Sequence, residues 1–233
     1  MSFAAMKAGH ARPHFQHKKF NFEEVQTIEG DVRLYQTPKG NYPSITSILG
    51  VDPAKFKILE KWRKRLGYDV AAKETKRCAD RGTAVHDLIE KYVKNVPNYE
   101  EGHTAKNIGL FNRSRSAVNK LNNVVAQEIP LYSHALKLAG RVDYIGEYCG
   151  IPSVVDFKTS TKEKKYEWIT DYFIQGTAYS YMFEEMFGYA VKNIVVLIVV
   201  EGLTVPQVFQ VNRVDYRDLL IEKIKFYRSL HNG

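Results

Sequence analysis

Residues 194 to 200 read IVVLIVV, seven consecutive apolar residues of which six are β-branched. The run is far too short to cross a bilayer. As a strand it sends apolar side chains to both faces of a sheet, which fits a buried, central position. The elements around it agree. Helical patterns come first, then three strands, a helix, two strands and a closing helix, and this order predicts an α/β sandwich built on a mixed sheet. With 233 residues and 44% hydrophobic content, the chain can bury one substantial core. One domain is expected over 23–233, with a basic helical part at about 52–94, a core at about 82–212 and a closing helix at 215–231. Residues 1–22 contain no acid and no clear period, and read as a flexible basic arm. Within that arm His10, His14 and His17 lack a pattern that would make them metal ligands.

The segment AGRVDYIGEYCGIPSVVDFKTSTK, residues 139 to 162, holds the densest chemistry. Two stretches rich in β-branched and aromatic residues meet at Cys149-Gly150, the signature of a two-residue hairpin turn. Tyr148 then faces Ile151, and the same register sets Asp143 opposite Asp156 on one face, with Cβ atoms about 4.5–5.5 Å apart. Lys158, two residues on, shares that face. Two carboxylates so close repel by roughly 3 kcal/mol at an effective dielectric near 20. A hard divalent cation removes the conflict, using one or two carboxylates and leaving positions for water and phosphate. A lysine beside such a centre suits phosphodiester hydrolysis. Glu74-Thr-Lys76 and Glu163-Lys-Lys165 have the same spacing but lie in polar surroundings. The apolar Ser153-Val-Val lead and the mirrored aspartate set Asp156-Phe157-Lys158 apart.

Charge points to a polyanionic partner. The net charge is +8, yet residues 1–120 hold 22 Lys and Arg against 13 acids, while 121–233 hold 12 against 13. Something other than the carboxylates must hold phosphate, and the basic half can do so. Asp52-Pro53 caps a helix that runs to Gly67. Phe56, Leu59, Trp62 and Leu66 form one face, expected to be core, and cations cover the rest. Phosphate contacts are expected from Lys55, Lys61, Arg63, Lys64 and Arg65, and from Arg81 beyond. A second helix carries RGTAVHDLIEKYVK with Val85, Leu88, Ile89 and Tyr92 as its buried stripe, and with His86 and Glu90 off it. Cys78 and Cys149 have no paired-cysteine spacing, which argues for a reducing compartment and against zinc or an iron–sulfur cluster.

The series Gly82-Thr-Ala-Val-His86, Glu128, Gly140-Arg-Val-Asp143, Asp156-Phe-Lys158-Thr-Ser and Gln175-x3-Tyr179 resembles the signature of the PD-(D/E)XK nuclease superfamily. Within it the chain is most similar to the RecB-type exonuclease branch and its stand-alone phage and mitochondrial members, a likeness to which YPSITSIL (42–49) adds. The resemblance implies a restriction-endonuclease-like αβββαβ core with flanking helices and an N-terminal helical extension. It implies Mg²⁺ or Mn²⁺ held by His86, Asp143, Asp156 and the Phe157 carbonyl, with Lys158 as the catalytic lysine. Glu128, Thr159, Ser160, Gln175 and Tyr179 would support the site or touch DNA. The chain lacks both the four cluster cysteines of some relatives and a GxxxxGK[ST] phosphate loop.

The expectation is therefore a DNA exonuclease that prefers single strands, acting alone or beside a separate helicase or polymerase. No membrane association is expected. The expected setting is the cytoplasm of a bacterial or phage-infected cell, with mitochondria left open. The rival readings are an endonuclease of the same fold and a non-catalytic nucleic-acid-binding protein.

Overall fold

The computed structural model describes residues 12–30 and 32–231. Three short strands come first: β1 (Gln26–Ile28), β2 (Leu34–Thr37) and β3 (Gly40–Pro43), an antiparallel sheet of their own. Helices α1 (Ile45–Gly50), α2 (Pro53–Leu66), α3 (Tyr68–Val93) and α4 (Ala105–Val118) follow. The main sheet then forms from β4 (Leu121–Ser133), β5 (Leu138–Tyr148), β6 (Ile151–Ser160), β7 (Asn193–Val200) and β8 (Gln207–Asn212), in that spatial order. Helix α5 (Thr170–Phe187) crosses from β6 to the parallel β7, and α6 (Arg217–His231) closes the chain. The expected mixed α/β architecture is present, a five-stranded mixed sheet flanked by helices.

The apolar run explains its own composition. Ile194, Val196, Ile198 and Val200 pack with α1, α5 and α6, whereas Val195, Leu197 and Val199 pack with α3 and α4. Both faces of β7 are covered, so both parities must be apolar. Helix α5 lies so close to β7 that a Cβ on Gly176 would collide with Ile194.

Three expectations fail here. Residues 1–11 of the expected arm, His10 among them, lie outside the described residues. From 12 to 22 the chain is fastened down: Phe15 is fully buried against Tyr92, Arg12 lies over the Tyr92 and Tyr99 rings, and Phe20 and Phe22 contact Phe187. Helix α3 begins at Tyr68, far upstream of the expected helix, because its first three turns bury only Ala71 and so show no apolar period. Most consequentially, α2 buries no residue at all. Phe56 is 58% exposed and Ile58 70%, and Leu59 and Leu66 are exposed with them. The face read as core is largely open, with only its Trp62 half-buried.

Candidate metal and nucleotide site

The hairpin register is the expected one through five pairs, from Tyr148↔Ile151 to Tyr144↔Val155. The ladder then stops. Asp143 and Asp156 would be the next pair, but β5 continues along β4 while β6 continues along β7, so the two strands part. The Asp143 carboxylate takes the place of a ladder partner, accepting the Phe157 amide at 2.8 Å. The direct opposition of the two aspartates is thus corrected to a fork, with one carboxylate on each prong.

Local backbone builds the fork. On β5, Val142 and Ile145 both join the α5-side core, as do Ala126 and, in part, Ile129 on β4. Residues three apart share a face only if the strand turns over between them. The turnover falls at Asp143 and Glu128, and Glu128 has φ +54°, the left-handed region that non-glycine residues rarely enter. Strain of this kind persists where surrounding structure enforces it, commonly at functional sites. It aims the Glu128 carboxylate at the fork.

His86 enters from α3. Its Nδ1 lies 3.8 Å from Glu128 Oε1 and 3.9 Å from Asp143 Oδ2, and the three side chains offer ligand atoms within 4.8 Å of one another. Its Nε2 lies 2.7 Å from the Phe157 carbonyl oxygen, so it donates there. Burial disfavours the charged ring, but the Asp143 charge, the Glu128 carboxylate and Asp156 outweigh it and raise the pKa to about 9. The imidazolium supplies the positive charge that two carboxylates demand. Ligation through the Phe157 carbonyl requires this hydrogen bond to give way.

Asp156 and Lys158 sit on the α5 side of the same fork. Asp156 is 1% exposed, and its Oδ1 accepts from Lys158 Nζ at 2.5 Å. Its Oδ2 is buried with no hydrogen-bond partner. Burial raises its pKa, Lys158 opposes this, and Asp143 adds to it. A carboxylate oxygen left without a donor next to a His–Glu–Asp cluster fits a hard cation, and His86 adds a ligand that suits Mn²⁺ better than Mg²⁺.

The other expected residues divide. Tyr179 is fully buried and its hydroxyl accepts from Gln175 Nε2 at 3.2 Å; burial first and the Asp143 charge second raise it well above the ordinary tyrosine range. Gly140 makes room for its ring, since a Cβ there would sit 2.9 Å from Tyr179 Cε1. Thr159 and Ser160 point to structural partners instead: Thr159 Oγ1 accepts from Arg81, and Ser160 Oγ bonds the backbone of Lys162. Arg81 is itself buried, paired with Glu201 at 2.8 Å. It ties α3 to the end of β7, and its guanidinium is not free for phosphate. Lys55 is likewise committed, to Asp171 and to the Leu49 carbonyl. Lys61, Arg63, Lys64 and Arg65 are exposed. The reading from sequence missed Tyr172, whose ring lies 5.2 Å from Lys158 Nζ. Its place one turn before Gln175 on α5 was the available signal.

Comparison with known proteins joins this geometry to a named relative. Over 132 residues, 54% of this chain, it is 30% identical to mitochondrial genome maintenance exonuclease 1 of Mus musculus. The chain is similar to an exonuclease. It spans 39% of that relative's length. A crystal structure of a candidate exonuclease from Eubacterium rectale shares 13% identity over 64% of this chain and 63% of its own, with a TM-score of 0.42, a likeness too distant to carry weight. No protein-family model matches the chain. Among the described residues no helix is long and apolar enough to cross a membrane.

Proposed function

We propose that the chain is a divalent-metal-dependent nuclease of the PD-(D/E)XK type, RecB-like branch, that degrades single-stranded DNA from a free end. One observation carries the reading: His86, Glu128, Asp143, Asp156 and Lys158 converge at a fork between two strands. The exonuclease relative supports it.

His86, Glu128, Asp143 and Asp156 are the residues that would hold Mg²⁺ or Mn²⁺, which when bound supplies Lewis-acid polarisation of a phosphoryl oxygen. Lys158 is held by Asp156 below and the Tyr172 ring beside it. From there it orients the attacking water and balances the charge that develops on the phosphate. Tyr179 and Gln175 brace the Asp143 side of the fork. Lys61, Arg63, Lys64 and Arg65 grip the backbone of the strand, and the exposed apolar face of α2 meets unstacked bases.

Helix α2 is anchored at its start, where Asp52 caps it and accepts from Lys223 of α6 at 2.7 Å and Lys55 reaches Asp171 of α5; at its end it turns at Gly67 into α3, which carries His86. The helix pair thus links the two sides of the fork, and a strand passing beneath it needs an end.

Hydrolysis of end-labelled single-stranded DNA tests the reading. Activity is expected with Mg²⁺ or Mn²⁺ and lost with a chelator. Asp156→Asn and Lys158→Ala should each lower the rate by about 10²–10⁴, the range for a positioned proton-transfer or charge-stabilising group, while binding in Ca²⁺ persists. Substantial turnover in either variant would overturn the catalytic assignment, and no turnover by the unaltered chain would favour a non-catalytic binding protein.

A further inference from the structure

The loop between β6 and α5 begins beside Lys158 and has one feature the nuclease reading leaves unused. Trp168 is 66% exposed, although tryptophan has more apolar surface to bury than any other residue. Exposure here does not come from a loose loop. Both backbone polar groups of Lys164 are clamped by the Gln207 side chain, at 2.8 and 3.0 Å. Tyr166 donates to or accepts from the Tyr216 hydroxyl at 2.6 Å and packs its ring on Phe173. Ile169, the next residue after Trp168, is fully buried. The short 3-10 turn Tyr166–Trp168 is thus pinned on both sides, and the indole is held outward between two anchors.

Its neighbours complete the surface. Lys165 Nζ lies 5.3 Å from the indole ring, over its face. Lys162 and Lys165 are exposed, and the three lysines of 162–165 outnumber the two glutamates at 163 and 167. Four residues further along the chain, the Tyr172 ring lies 5.2 Å from Lys158 Nζ, so the loop leads directly into the helix that lines the Lys158 side of the fork.

We propose that Trp168 and Lys165 form a stacking platform for one base of single-stranded DNA, on the segment that joins β6 to α5. This rests on the nuclease reading and adds to it a defined base contact. A solvent-facing indole with an ammonium over one face offers its other face to an unstacked base and the ammonium to that base's phosphate. Stacking accepts any base, so the platform grips the strand without reading sequence.

The chain has two tryptophans, Trp62 and Trp168, so a Trp62→Phe background makes Trp168 the only indole reporter. The probes are a thymidine oligonucleotide and an abasic strand of equal length and charge, both end-labelled for anisotropy, in Ca²⁺ to prevent cleavage. The thymidine strand should quench Trp168 fluorescence and the abasic strand should not. Trp168→Ala should bind the thymidine strand about tenfold more weakly, the contribution of one stacked base, and the abasic strand equally well. Trp168→Phe should restore most of the difference. A bound thymidine strand with no quenching, or equal weakening of both strands in Trp168→Ala, would overturn the platform and leave the nuclease reading standing. Failure of the unaltered chain to bind either strand would overturn both.

Discussion

Helices α2 and α5 both carry large apolar side chains and meet opposite fates. Helix α5 buries ten residues, including Phe173, Gln175 and Tyr179, whereas α2 buries none despite Phe56, Ile58, Leu59, Trp62 and Leu66. Both show apolar residues at helical spacing, so periodicity alone cannot separate them. What separates them is charge. Helix α5 has no basic residue from Thr170 to Phe187, while Lys55, Lys57, Lys61, Arg63, Lys64 and Arg65 surround the apolar residues of α2. A helix that cationic cannot sink wholly into a core without stranding ammonium and guanidinium groups, and in the proposed function its open apolar face meets a partner that brings negative charge.

The sharpest way to break this contrast is to truncate one aromatic on each helix. Phe173→Ala removes a fully buried ring packed on Tyr166 and Tyr216 and should cost about 3–5 kcal/mol. Phe56→Ala should stay within about 0.5 kcal/mol of the parent. Urea denaturation measures both, and a large loss for Phe56→Ala would return α2 to the core.

The fork itself should respond to pH. With His86 raised to about 9 from its ordinary 6.5, its contribution to stability is full below about 6.5 and is lost as pH rises through 9. The upper limit is about 3 kcal/mol. In chelator, melting temperature should fall over that window in the parent and stay flatter in His86→Asn. Divalent cations, which need the neutral imidazole, should stabilise the parent more as pH rises. A parent profile as flat as the variant's would remove His86 from the cluster.

The smallest effect belongs to α2. Neutralising Lys61, Lys64 and Arg65 together should leave stability unchanged and flatten the log–log salt dependence of single-strand binding by up to about 2. Arg81→Gln should do the reverse, since it removes the buried one of the two arginines paired with Glu201 and loosens α3 while removing no phosphate contact. An unaltered slope in the triple variant would mean that α2 faces away from the strand.

Much of this was legible because local arithmetic sufficed. A two-residue turn fixes register, so the partners of Tyr144 to Tyr148 follow from Cys149-Gly150 alone. The β7 run announces its two covered faces. The parting of β5 from β6 was not legible, since it depends on the turnover at Glu128 in β4, a positive φ no residue type signals there. Arg81 read as a phosphate contact because its partner Glu201 lies 120 positions away. His86 stood out through the motif resemblance, not through its helix pattern, and Phe15 within the supposed arm docks on α3 through contacts that a search for periodicity cannot find.

The most direct measurement compares three DNA substrates at equal nucleotide concentration with Mg²⁺ present and a chelator control. The fork sees one phosphate and cannot sense an end; in the proposed function that requirement comes from passage of the strand beneath α2 and α3. Linear single-stranded DNA should be degraded, circular single-stranded DNA should persist over the same interval, and blunt duplex, about 20 Å wide, should be cut slowly or not at all. Rapid loss of the circle would contradict passage from a free end and assign the same fork to an endonuclease.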